Sequence, residues 1–146
     1  ITIHSMKCAV LGYGRTGKVL AATLKGLGAD VTVFARKERD KADAFTKGYK
    51  FASFPSLKNT EYKFDALINT VPQKVLGREE MKNISSDCLF IEIASAPFGI
   101  DFQAAKEYAF DVIKANSLPG KVAPKTAGEI IGRSILPIIE KRGVNK

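Results

Sequence analysis

Val10-Leu11-Gly12-Tyr13-Gly14-Arg15-Thr16-Gly17 joins the end of an apolar run, Cys8-Ala9-Val10-Leu11, to a segment with helical periodicity from Thr16 to Leu27. The stretch fits Gly-x-Gly-x-x-Gly, a weak pattern by itself. Its place directly after an expected strand, opening an expected helix, gives it chemical meaning. Gly12 permits the tight turn, Gly14 lets the backbone approach a pyrophosphate, and Gly17 lets helix and strand pack closely. The N–H groups of Arg15 and Thr16, at the positive end of the helix dipole, are then free to bind phosphate.

The flanking sequence alternates short apolar runs with helix-period segments, the signature of βαβ units around a parallel sheet. Val19, Leu20, Leu24 and Leu27 are expected on one buried face of the first helix, which Gly28 ends. Asp30-Val31-Thr32-Val33-Phe34 reads as strand two, followed by a charged helix from Glu38 to Thr46 that Gly48 closes. Tyr49 to Ser53 is a short third strand, and Phe54-Pro55-Ser56-Leu57 a loop entering a brief helix. Ala66-Leu67-Ile68-Asn69 is strand four, which Pro72 cannot continue. A helix from Gly77 to Asn83, strand five over Cys88 to Ile93, a helix capped by Asp101 and running to Tyr108, and a weaker sixth strand at Asp111-Val112-Ile113 follow. After Leu118-Pro119-Gly120, an apolar segment from Thr126 to Lys141 reads as a closing helix that Pro137 kinks or breaks. The expected architecture is α/β: a doubly wound parallel sheet of Rossmann type, strand order 3-2-1-4-5-6, with residues 1–146 forming one dinucleotide-binding domain.

Strand two ends where such domains normally place an acidic residue for the adenosine ribose. Here the position holds Ala35, followed by Arg36 and Lys37. Without the carboxylate there is neither a 2′-hydroxyl acceptor nor repulsion of a 2′-phosphate, and Arg36 adds a planar bidentate phosphate donor. The expected cofactor is NADP, with NAD the alternative. Asn69-Thr70-Val71-Pro72 leaves strand four at the carboxyl edge of the sheet, where ligands bind, and is assigned to the nicotinamide-side ribose. Leu118, Pro119 and Lys125 are the corresponding candidates beyond the last strand. No catalytic residue is assigned: His4 stands alone near the N-terminus, and no pair of carboxylates meets at the crevice. No metal site is expected.

An apolar fraction of 45% with 26% charged residues describes an ordinary globular chain. No apolar run approaches the roughly 20 residues that span a bilayer. The net charge of +8 comes from dispersed lysines without an aromatic-interleaved basic block, so a nucleic-acid partner is not expected. Cys8 and Cys88 fall in apolar runs on strands that should not be neighbours, which points to free thiols and a reducing, cytoplasmic compartment. The beginning, Ile1-Thr2-Ile3-His4-Ser5-Met6, has neither an initiator Met nor a signal-peptide layout, and the sequence is expected to be a piece of a longer chain.

Val10 to Gly17, Ile68 to Pro72, Glu92-Ile93-Ala94-Ser95 and above all Leu118-Pro119-Gly120-Lys121-Val122-Ala123-Pro124-Lys125-Thr126-Ala127-Gly128 make the chain resemble the family of dipicolinate synthase A subunits over nearly its whole length. The first of these motifs is shared with many hydroxyacid dehydrogenases; the last is far more specific. The resemblance implies an enzyme of spore-forming bacteria that oxidises dihydrodipicolinate to dipicolinate in the mother cell. It also implies an N-terminal domain ahead of this one and a flavoprotein-like partner, the B subunit of dipicolinate synthase. A fragment of that kind is expected to bind cofactor without catalysing the reaction alone. Two other classes share a glycine-rich turn. A regulatory domain that senses NAD(P) without chemistry is disfavoured by the specific tail motif. A methyltransferase using S-adenosylmethionine is disfavoured by Ala35, since such enzymes usually keep an acid there.

Overall fold

Apolar residues at successive positions, rather than alternating ones, make strands that bury both faces, and here they pair in parallel. The structure, a computed structural model, describes residues 3–116 together with Lys125, Thr126 and Gly128. Its elements are β1 (Lys7–Leu11), α1 (Arg15–Gly26), β2 (Asp30–Phe34), α2 (Glu38–Thr46), β3 (Lys50–Ala52), a 3-10 helix (Phe54–Lys58), β4 (Ala66–Asn69), α3 (Arg78–Met81), β5 (Leu89–Glu92), α4 (Phe102–Glu107) and β6 (Val112–Lys114). The sheet has the order β3-β2-β1-β4-β5-β6 with every pair parallel, as expected. The chain divides into two compact units, Ile1–Asn116 and Ser117–Lys146, and the first holds the entire sheet. The closing helix expected over 126–141 lies almost wholly outside the described residues.

Alternation along β1 feeds two cores. Ala9 and Leu11 face Leu57 of the 3-10 helix, Met81 of α3 and Ala104 and Ala105 of α4. Cys8 and Val10 face Ala21 of α1 and Ala44 of α2. Helices α1 and α2 therefore cover one face, and the elements after β3 cover the other. Strand β4 lies between β1, which carries Cys8, and β5, which Cys88 immediately precedes; both cysteines are buried and free. Burial raises both thiols, that of Cys88 to about 12, which leaves them inert at neutral pH.

The expected buried face of α1 needs correction. Gly17 and Ala21 are its buried residues, Leu20 and Leu24 flank them half-buried, and Val19 and Leu27 are 68% and 51% exposed. Small residues let the helix lie close against the sheet; Val19, two residues from both Gly17 and Ala21, falls on the opposite side of the helix, and Leu27 is the C-cap beyond its last turn. Helix ends match the turn chemistry better. Gly28 and Gly48 follow α1 and α2 in the left-handed conformation. Asp101 caps α4 by accepting from the Ala104 N–H at 3.0 Å.

Candidate functional site

At the carboxyl edge, Leu11 of β1 is in register with Phe34 of β2 and with Asn69 of β4. The turn after β1 thus rises between the segments that leave β2 and β4, at the reversal of strand order where crevices form. Gly12 through Lys18, Ala35 to Lys37, and Thr70 to Gln73 all line a cavity of about 920 Å³ there.

The three glycines of the turn serve different ends. Gly12 has φ of +97°, and a Cβ on it would lie 2.5 Å from Thr70 Oγ1. A Cβ on Gly17 would meet the Gly12 carbonyl oxygen at 2.0 Å. Both are demanded by the protein's own packing. Gly14 differs: its φ of −81° suits any residue, and a Cβ would meet nothing within 4 Å. Its side-chain direction is open space beside the crevice, so the fold does not need a glycine there, whereas a group lying against the backbone would. Gly14 is also the N-cap of α1, without side-chain cap or acidic residue in the first turn. Among the described residues the opening N–H groups of α1 therefore have no side-chain acceptor, the condition under which a helix N-terminus takes a phosphate. A dinucleotide fits this cradle: Gly14 would lie against its pyrophosphate, and Arg15 and Thr16 would donate to it.

The electrostatics are those of an anion site. Arg15, Lys18, Arg36, Lys37 and Arg39 line the cavity against two carboxylates, Asp40 and Asp43. Asp43 is already matched, with Lys47 at 3.0 Å and Lys18 at 3.1 Å. Hydrogen bonds from Lys47 and then Lys18 pull its carboxyl down to about 2. Lys18 also lies over the Tyr13 ring, 4.9 Å from its centroid. Tyr13 is buried, and among the described residues its hydroxyl has no partner at hydrogen-bond geometry. Burial first, and the nearby Asp43 second, push this phenol above its ordinary range.

Ala35 is buried at 4% exposure, and Arg36 and Lys37 beside it are exposed on the cavity wall. Arg36 Nη2 donates to Gln73 Oε1 at 3.0 Å. Thr70, Val71 and Pro72 also reach the cavity, but Thr70 donates its hydroxyl to the Leu11 carbonyl at 2.8 Å and so ties β4 to the base of the turn. Asn69 stands apart from its expected place. It is fully buried, donates to Glu92 Oε1 at 2.7 Å and to the Val71 carbonyl at 3.0 Å, and accepts from the Val71 N–H. All its polar atoms have protein partners, so it positions the 70–72 segment from beneath. Leu118 and Pro119 lie outside the described residues. Lys125 is helical and exposed.

Several residues of the site escaped the sequence reading. Glu92, fully buried at the end of β5, accepts from Asn69 and from the N–H groups of Ala94, Gly99 and Ile100. It pins the loop after β5 to the loop after β4. In sequence it stood in the motif Glu92-Ile93-Ala94-Ser95 as an acid within an apolar strand, with no role assigned to it. Gln73 directly followed a quoted motif, and Arg39 and Asp43 belonged to a helix that read only as charged.

Fold, cradle and charge together define a dinucleotide-binding domain, and the family it matches makes it a nicotinamide-dinucleotide domain of the oxidoreductase type. The chain belongs to the family of D-isomer specific 2-hydroxyacid dehydrogenase NAD binding domains, which it matches over residues 1–118. Within that class it is similar to the A subunit of dipicolinate synthase from Bacillus subtilis (strain 168), with 36% identity over 138 residues, which are 94% of this chain and 46% of that protein. The crystal structure of that dipicolinate synthase protein from Bacillus subtilis superposes on the whole chain with a TM-score of 0.90 and 34% identity, covering 49% of its own length. The corresponding dipicolinate synthase protein from Bacillus halodurans gives a TM-score of 0.88 at 33% identity, over 94% of this chain and 47% of that one. The chain thus spans about half the length of the relatives it matches. D-lactate dehydrogenase from Escherichia coli, at 21% identity and a TM-score of 0.60, shares the fold. Among the described residues no helix is long and apolar enough to cross a membrane.

Proposed function

We propose that this chain is the NADP-binding part of an oxidoreductase like the A subunit of dipicolinate synthase, and that the whole protein oxidises dihydrodipicolinate to dipicolinate in the cytoplasm of the mother cell. The observation that carries the reading is Gly14: a glycine the fold does not require, beneath first-turn N–H groups with no side-chain cap, in a cation-lined crevice. The preference for NADP is supported by Ala35, which offers no carboxylate, and by Arg36, which among the described residues makes no ion pair.

The oxidation removes two hydrogens from the dihydropyridine ring, one as hydride and one as a proton, and the ring becomes aromatic. A bound oxidised nicotinamide would supply the hydride acceptor. The chain's own part is to hold the pyrophosphate on Gly14, Arg15 and Thr16, to bind the adenosine phosphate at Arg36 and Lys37, and to present the rest of the cofactor along the 70–72 segment. Glu92 and Asn69 keep that segment rigid from below. The carboxylates on the crevice, Asp40 and Asp43, belong to α2 on the adenosine side, away from the expected reaction centre. A base from the N-terminal domain, or from the flavoprotein-like B subunit, completes the site in this reading, with 1–146 acting as one cofactor domain.

The test is a binding titration of NADP, NAD and S-adenosylmethionine against the chain, followed by an assay with dihydrodipicolinate. NADP binding tightest, with no turnover by the chain alone, is the expected result. Tightest binding of S-adenosylmethionine would overturn the class, and NADP reduction by the chain alone would show that the catalytic base had been misplaced.

A further inference from the structure

Arg36 does not stand free at the ribose position. The register places Leu11 beside Phe34 on one side and Asn69 on the other, so β1 separates the strands that deliver Arg36 and Gln73. Strands two apart are roughly 10 Å from each other. The bond from Arg36 Nη2 to Gln73 Oε1, 3.0 Å long, therefore crosses above the end of β1, over the turn that opens with Gly12. Both residues line the crevice. Phe54 lies two residues past Ala52, which pairs with Phe34, and so walls the same end with a half-buried ring.

We propose that Gln73 is a specificity-determining positioning residue, which holds the Arg36 guanidinium across the adenosine end of the crevice so that it receives a 2′-phosphate; this rests on the NADP reading above. A guanidinium has five N–H donors in a rigid fork. The neutral amide engages one edge, keeps the positive charge intact and leaves the remaining donors for an anion. A carboxylate at position 73 would have fixed the same side chain while cancelling its charge. An unheld arginine must surrender rotamer freedom when it binds, and a held one has already done so. The adenosine diphosphate portion common to both cofactors gains nothing from this arrangement, so the effect falls on NADP alone.

The experiment measures NADP and NAD affinities by calorimetry, at one salt concentration, for the wild-type chain, Gln73→Ala, Gln73→Met, Arg36→Ala and Arg36→Ala combined with Gln73→Ala. Thermal melting of each confirms folding. Gln73→Ala and Gln73→Met should each lower the NADP/NAD affinity ratio about three- to tenfold, the worth of one such hydrogen bond. In the Arg36→Ala background Gln73→Ala should lower it no further. Because methionine keeps the length and removes the acceptor, a ratio preserved by Gln73→Met overturns the proposal. So does an equal loss of both cofactors, or an additive double mutant. A wild-type ratio at or below one that Arg36→Ala leaves unchanged refutes the NADP reading itself, and this inference with it. A fall with Arg36→Ala but not with Gln73→Ala refutes only the role of Gln73.

Discussion

Gly14→Val and Gly17→Ala should separate the glycine kept for a ligand from the glycine kept for the fold. At Gly14 the backbone is in an ordinary conformation and a Cβ meets nothing within 4 Å. The cost to stability is that of a poorer helix N-cap, at most about 1 kcal/mol. At Gly17 an added methyl lies 2.0 Å from a backbone carbonyl that cannot move without unwinding the turn. Overpacking of this kind costs about 3 kcal/mol or more, a fall in Tm on the order of 10 °C for a chain of this size. Ligand linkage supplies the second readout. NADP at about 100 times its Kd adds roughly 2.7 kcal/mol to the wild type, a rise of several degrees. In Gly14→Val the branched side chain occupies the pyrophosphate's path, so the melting point should stay near that of the ligand-free wild type while the rise with NADP vanishes. Melting curves with and without NADP, backed by direct titration, decide the matter. A folded Gly14→Val protein with wild-type NADP affinity would refute the cradle, and a Gly17→Ala protein as stable as wild type would refute the packing argument.

Arg36→Ala should weaken NADP by roughly 10- to 150-fold, with little effect on NAD, and Ala35→Asp should shift preference toward NAD; titrations of both cofactors at fixed salt check this. Glu92→Ala leaves the buried amide of Asn69 and the N–H groups of Ala94, Gly99 and Ile100 without their acceptor, so chemical denaturation should show a loss of at least about 3 kcal/mol. Asp43 titrates at about 2, below its ordinary 3.8, so its ion pairs stabilise the fold above about pH 4 and release that stability as pH falls toward 2. Asp43→Asn should accordingly be less stable than wild type at neutral pH, with the gap closing across that acid window and shrinking in high salt. A gap that persists unchanged at pH 2 would remove the ion pairs as its cause.

Much of this protein is decided by short-range rules, which is why its sequence alone determines so much. Apolar runs bounded by turn residues mark β1, β2, β4 and β5, and parallel strands joined by helices leave few topologies for six strands. Gly12-Tyr13-Gly14-Arg15-Thr16-Gly17 and the Ala35-Arg36-Lys37 that ends β2 carry the ligand chemistry in contiguous residues, legible because turn conformation and strand end are local properties. The tertiary structure decided what depends on partners far along the chain. Apolar periodicity could not tell that the face packed on the sheet would be the small one, Gly17 and Ala21, which leaves Val19 and Leu27 exposed. Asn69 read as a ligand contact until Glu92, 23 residues on, took its amide into the core. Arg36 read as a free cation until parallel register across β1 set it against Gln73, 37 residues away. Each of these outcomes is a choice of partner, and partners are set by strand register and interhelical distance, which no local pattern encodes.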